Sequence, residues 1–125
     1  KIGIFSGIAF QIKDDLIDLN SSKGDKNNFT DLKEQKLTLP VIHALRNSSF
    51  LEKQKMIAQI KNIREDINAR KNIYDWLKEK GSFSYAENMM IDYQNKAITL
   101  LHNFPESRYR NAIEHTIKYI TERDH

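Results

Sequence analysis

Three carboxylates fall within five residues of an otherwise apolar stretch, Phe10-Gln11-Ile12-Lys13-Asp14-Asp15-Leu16-Ile17-Asp18. On a helix, Asp14 and Asp18 lie one above the other with Gln11 on the same face, and Asp15 sits about 100° round from Asp14. Like charges gathered so closely repel one another. They also fall in the last two turns of the helix that the surrounding apolar residues predict, where the helix dipole is negative and favours Lys or Arg. Each acid so placed costs a few tenths to about 1 kcal/mol when exposed. A bound cation reverses that sign. Carboxylates with open positions between them suit Mg²⁺, which keeps several waters and is usually held jointly by carboxylates and substrate phosphates.

By itself, a DDxxD pattern also describes an ordinary solvated helix end. The neighbouring downstream segment argues for more. It carries Lys23, Lys26 and Lys36, and a diphosphate needs such cations beside the metal, because Mg²⁺ alone does not neutralise it. Order and spacing together point to a platform for Mg²⁺ bridged to a diphosphate.

These residues must be positioned by helices. Phe5, Ala9, Ile12, Leu16 and Leu19 recur at steps of four and three and predict a first helix over residues 2–19. Beside that stripe runs a second one, Gly3, Gly7, Gln11, Asp14 and Asp18. Its glycines either let a neighbouring helix pack closely or leave room for part of a ligand beside the acidic residues. Residues 20–36 read as a polar loop turning at Gly24. Thr38-Leu39-Pro40 begins the next helix, with Pro40 suited to a first turn, and Asn47-Ser48-Ser49 ends it. Further helices are expected over about 50–63, about 65–80 with a stop at Gly81, and about 85–103. Ser84 and Glu87 have the spacing of a capping box for the last of these. Pro105 separates it from a final helix carrying Tyr109, Ala112, Ile113, Ile117 and Ile120. No strand alternation or internal repeat stands out, so the expected class is all-α with five or six helices.

Composition agrees. Four Gly and two Pro in 125 residues are few turn-makers, which favours long helices over many short strands. The absence of Cys excludes disulfides and thiolate metal sites within these residues and fits a reducing cytoplasm. No apolar run approaches the roughly 20 residues of a membrane span. The net charge of +3 is small and its acids and bases are interleaved, which gives no argument for nucleic acid. The chain opens at Lys1 and runs straight into KIGIFSGIAFQI, without the pattern of a cleaved signal. It is expected to be a piece of a longer protein whose upstream half is not present.

The run Gly7, Ala9-Phe10-Gln11-Ile12, Asp14-Asp15 and Asp18, followed by Lys26, Asp31, Lys36 and Thr38-Leu39-Pro40, resembles the second aspartate-rich region of the trans-polyprenyl (isoprenyl) diphosphate synthases. That family's pattern is FQxxDDxxD, a loop carrying GK, an Asp five residues on, and then KxTLP. Lys26, Asp31 and Lys36 fall at the family spacing. The likeness is dense over residues 1–46 and thinner beyond, through Gly81 before a helix with Tyr85 and Ala86, Tyr93 with Ala97, Phe104-Pro105 and Arg123. One departure is Asp25-Lys26 where the family has GK, with Gly24 one place earlier.

The resemblance implies an isoprenoid-synthase helical bundle, Mg²⁺ as cofactor, allylic and isopentenyl diphosphates as substrates, and a homodimeric parent. It implies that Asp14 binds Mg²⁺ on the allylic diphosphate, with Asp15 and Asp18 holding the waters of that ion. Lys26 would contact the allylic diphosphate with Lys36 nearby, Asp31 would order metal-bound water, and Phe10 and Gln11 would line the isopentenyl side. These synthases also carry a first aspartate-rich motif upstream, and residues 1–125 contain none. The chain is therefore expected to be the C-terminal half of a polyprenyl synthetase domain, inactive alone. A class I terpene cyclase also uses an aspartate-rich helix, but the FQ before the motif and the Lys-loop-Lys-TLP after it argue against that class. A non-catalytic binding or regulatory subunit that kept the motif is a further alternative.

The other polar residues suggest no chemistry. Asp66 and Asp92 are isolated, and His43, His102, His115 and His125 share no metal spacing. Trp76, Met89 and Met90 read as core. Lys118 and Arg123 could close over a diphosphate but are placed like ordinary solvated terminal charges.

Overall fold

The computed structural model describes residues 1–20 and 37–122. Among these residues there are six helices and no strand: α1 (Ile2–Asn20), α2 (Leu39–Arg46), α3 (Phe50–Lys61), α4 (Ile67–Glu79), α5 (Ser82–Leu101) and α6 (Arg108–Glu122). The all-α expectation holds. The proposed loop, with Lys23, Gly24, Lys26, Asp31 and Lys36, lies outside the described residues except for Asn20, which ends α1.

The apolar stripe of α1 faces inward. Ala9, Ile12, Leu16 and Leu19 are all buried, and Phe5 is half-buried. The chain divides into two compact units, Asp15–Ala86 and Lys1–Asp14 with Glu87–His125.

In the first unit, Leu19, Val41, Ala44, Met56, Ile60, Ile63, Ile73, Trp76 and Leu77 form one core, with Leu45, Tyr74 and Phe83 packed on it. Burying each large side chain of this set contributes about 1.5–3 kcal/mol. This core holds α2 in place. An eight-residue helix is not stable alone in water, and α2 persists because Pro40, Val41 and Ala44 are buried.

Short polar bonds set where the helices stop and start. Asn47 and Ser48 end α2 by donating from their side chains to the carbonyls of His43 (2.8 Å) and Ala44 (2.7 Å). The Trp76 indole then donates to Ser48 Oγ at 3.1 Å. Ser49 caps α3 by accepting from the backbone N–H of Glu52 at 3.2 Å, and Glu52 in turn pairs with Lys80 at 2.7 Å. Asp66 caps α4 by accepting from the N–H of Asn68 at 2.9 Å. It is exposed, as expected, but its role is that of a cap. Gly81, at φ 70°, ends α4 in the left-handed conformation. Its carbonyl accepts from the N–H of Tyr85 at 3.0 Å and so opens α5 at once.

That double use of Gly81 corrects the expected start of α5. The helix begins at Ser82, so Ser84 lies inside the first turn and does not cap it. Among the described residues, Ser49 and Glu52 are the pair whose spacing and N-terminal bond match the capping pattern.

In the other unit, Phe5 and Tyr93 pack with ring centroids 6.0 Å apart, and Lys96 Nζ lies 4.9 Å from the Tyr93 centroid. Ser107 caps α6 by accepting from the N–H of Arg110 at 3.1 Å, and the Arg110 guanidinium donates to the Phe104 carbonyl at 3.0 Å. The expected apolar side of α6 is buried only in part. Ile117 and Thr121 are buried and Ile120 is half-buried, whereas Tyr109, Ala112 and Ile113 are exposed. Among the described residues, no helix is long and apolar enough to cross a membrane.

Candidate functional site

The acidic trio sits near the C-terminal end of α1, which closes at Asn20 with no basic residue in its last turn. The negative end of the helix dipole therefore meets three carboxylates, and α1 supplies no cation in that turn. The trio is divided by burial. Asp15 is 7% exposed, whereas Asp14 and Asp18 are half-buried and Gln11 is exposed. Asp14 and Asp18, one turn apart, have Cβ atoms about 5–6 Å from each other by helix geometry. Phe10 lies at the margin of exposure, at 37%.

Among the described residues, no three His, Asp or Glu side chains converge as a ready-made metal cage. A two-carboxylate edge does not suit a structural ion enclosed by protein. It does suit Mg²⁺, a hard cation that usually takes only one or two carboxylates and completes its shell with water and phosphate oxygens. The donor set of α1 thus fits the expected group.

The second stripe of α1 is open. Among the described residues, a Cβ added at Gly3 or Gly7 would meet no atom within 4 Å. Close packing against these glycines is not seen among the described residues.

The remaining polar residues resolve into structural roles. His43 is half-buried and its Nδ1 lies 2.9 Å from the Oγ of Ser82, a fully buried serine. Tyr85 stacks on the His43 ring at 4.1 Å between centroids. The sequence offered no signal for this trio beyond the nearness of Gly81. His102 and Lys118 both bond Glu114, Lys118 at 3.1 Å, and these two contacts hold the Glu114 carboxyl below its ordinary range, the His102 bond being the stronger cause. Lys118 is therefore engaged in an ion pair on its own helix. His115 and Asp92 are exposed. Trp76 and Met90 are buried and Met89 half-buried, as core residues should be. Lys26, Asp31, Lys36, Arg123 and His125 lie outside the described residues.

An all-α chain with an acidic helix end is compatible with several folds, and comparison with known proteins specifies which one this is. The profile of the polyprenyl synthetase family matches residues 1–77. The chain belongs to the polyprenyl synthetase family. It is similar to a geranylgeranyl pyrophosphate synthase of Geoglobus acetivorans, at 37% identity over 126 aligned positions that cover 98% of this chain and 37% of the relative. Its fold matches the crystal structure of a geranylgeranyl pyrophosphate synthase from Bacteroides thetaiotaomicron with a TM-score of 0.84 and 31% identity, over 98% of this chain and 40% of that one. It also matches, with a TM-score of 0.76 and 27% identity, the geranylgeranyl pyrophosphate synthase of Corynebacterium glutamicum solved with calcium and isoprenyl diphosphate, over 97% of this chain and 38% of that one. The chain thus spans somewhat more than a third of the length of the relatives that it matches.

Proposed function

We propose that the chain is the C-terminal portion of a polyprenyl diphosphate synthase, in which α1 contributes the second of two aspartate-rich metal sites. The observation that carries this reading is the acidic edge Asp14–Asp18 at the negative end of α1, within the segment matched by the family profile. Asp14 would bind Mg²⁺ directly. Asp15 and Asp18 would hold the waters of the ion. Bound there, Mg²⁺ would neutralise charge that develops on the departing diphosphate. Lys26 and Lys36 would take the diphosphate oxygens on the cationic side, and Asp31 would order water beside them. Phe10 and Gln11 would line the place where isopentenyl diphosphate docks.

The reaction so served is ionisation of an allylic diphosphate, attack by the isopentenyl double bond, and loss of a proton. The protein contributes by stabilising the leaving group electrostatically. A divalent cation is supported by the calcium and isoprenyl diphosphate in the Corynebacterium glutamicum relative. The resemblance implies that the working enzyme is a homodimer, and a cytoplasmic setting is in keeping with the lack of cysteine in these 125 residues. The test is steady-state turnover of the synthase-length protein. Asp14→Ala should lower it by orders of magnitude, and near-normal turnover would remove Asp14 from the site.

A further inference from the structure

The outward face of α3 is unlike that of its neighbour α4. Its first two residues, Phe50 and Leu51, are 73% and 80% exposed. Gln54, Lys55, Ala58 and Lys61 follow them at steps of three and four and are exposed too, so the six share one side of the helix. Met56 and Ile60 are buried on the other side. The face therefore presents two large apolar groups at one end, two lysines and no acid. On α4 the exposed residues Lys71, Asp75, Lys78 and Glu79 mix both signs, the pattern of a helix face that meets water.

The apolar pair is held in place. Side-chain bonds of Asn47, Ser48 and Ser49 fix the corner that precedes it, and Met56 and Ile60 anchor α3 in the core. Charge follows the same line. From Pro40 to Arg64 the chain carries Arg46, Lys53, Lys55, Lys61 and Arg64 against a single acid, Glu52. Lys80 pairs with that acid at 2.7 Å. One exposed leucine would mean little. Two adjacent large apolar side chains on a fixed corner, within a cationic stretch, match a surface that is apolar in depth and negative at its edge. An anionic lipid bilayer is such a surface, and it takes a convex apolar group without needing a pocket shaped for it. Among the described residues no helix can cross a membrane, so α3 would lie on the bilayer and not span it.

We propose that α3 is a peripheral membrane contact whose outward face rests on an anionic lipid surface. Phe50 and Leu51 enter the boundary between headgroups and acyl chains, and Lys55 and Lys61 meet the lipid phosphates. The inference stands on the surface of α3 and makes no use of the reading of α1.

The test is co-flotation of the 125-residue chain with extruded vesicles, one set of phosphatidylcholine alone and one of equal parts phosphatidylcholine and phosphatidylglycerol. The chain should bind the anionic vesicles at least about tenfold more tightly than the neutral ones, and added salt should narrow that gap. The double variant Phe50→Gln, Leu51→Gln should bind the anionic vesicles at least about tenfold more weakly than the parent. The double variant Lys55→Glu, Lys61→Glu should bind them no better than the neutral ones. All four side chains are exposed, so both variants should keep the helical circular dichroism of the parent. Tyr109→Glu, Ile113→Glu, on the apolar face of α6, should bind vesicles as the parent does. Parent-like binding by either α3 variant would overturn the proposal. So would equal binding to the two vesicle types, or a loss confined to the α6 variant. If Phe50→Gln, Leu51→Gln changes the oligomeric state in size exclusion and leaves vesicle binding intact, the face of α3 is a contact with a second copy of the chain, and the proposal fails.

Discussion

His43 on α2 and Ser82 in the first turn of α5 are joined by a 2.9 Å side-chain hydrogen bond, with the Tyr85 ring stacked on the imidazole. This bond ties the helix that comes after the cationic segment to the corner made by Gly81. Ser82 is fully buried, so its loss leaves His43 without its partner in a part-buried place. Ser82→Ala should destabilise the chain by about 1–3 kcal/mol, the cost of an unsatisfied buried polar group. Urea denaturation followed by circular dichroism measures it. A change near zero would mean that the imidazole finds water instead.

Gly81 should tolerate no other residue without cost. Its φ of 70° lies in the left-handed region, although a Cβ there would meet no atom within 4 Å. The penalty of Gly81→Ala is therefore backbone strain without a clash, about 1–2 kcal/mol. The same denaturation experiment checks it, and Gly81→Asn should recover part of the loss.

The corner at Gly81 also shows what the sequence could and could not reveal. The stop of α4 was legible from glycine chemistry, and the inward face of α1 from steps of three and four. The exact start of α5 was not, because one glycine both closes a helix and opens the next, and Ser84–Glu87 imitates a cap. The partly exposed face of α6 was hidden for another reason. Periodicity tells which residues share a face and not what covers it, so Tyr109 and Ile113 read as core but are 81% and 46% exposed. At the site, spacing alone put Asp14 and Asp18 on one edge of α1. It did not show that Asp15 is buried whereas Asp14 and Asp18 are only half-buried.

That exposed face gives a third expectation. Tyr109, Ile113 and Tyr119 on α6 form apolar surface of the sort that drives association. The isolated chain should self-associate as concentration rises. The double variant Tyr109→Glu, Ile113→Glu should shift it towards monomer in light scattering coupled to size exclusion. Unchanged association would place the sticky surface elsewhere.

Glu114 links stability to pH. Its bonds to His102 and Lys118 lower its pKa below the ordinary 4.5. A depressed carboxyl contributes stability above its unfolded pKa and loses it as pH falls through its folded one. The advantage of the parent over Glu114→Gln should thus be present at neutral pH and fade as the pH drops below 4.5. Thermal melts of both proteins from about pH 7 to about pH 3 test this. A gap that stays constant across that range would show that the two bonds do not depend on the charge of Glu114.

The acidic end of α1 is proposed to hold a divalent cation together with a diphosphate. The most direct measurement uses Mn²⁺ as a paramagnetic stand-in for Mg²⁺, added with pyrophosphate to the ¹⁵N-labelled chain. Amide signals around residues 14–18 should broaden first, recover on adding excess Mg²⁺, and stay sharp in the double variant Asp14→Asn, Asp18→Asn. Broadening centred on another part of the chain, or unchanged in that variant, would contradict the account.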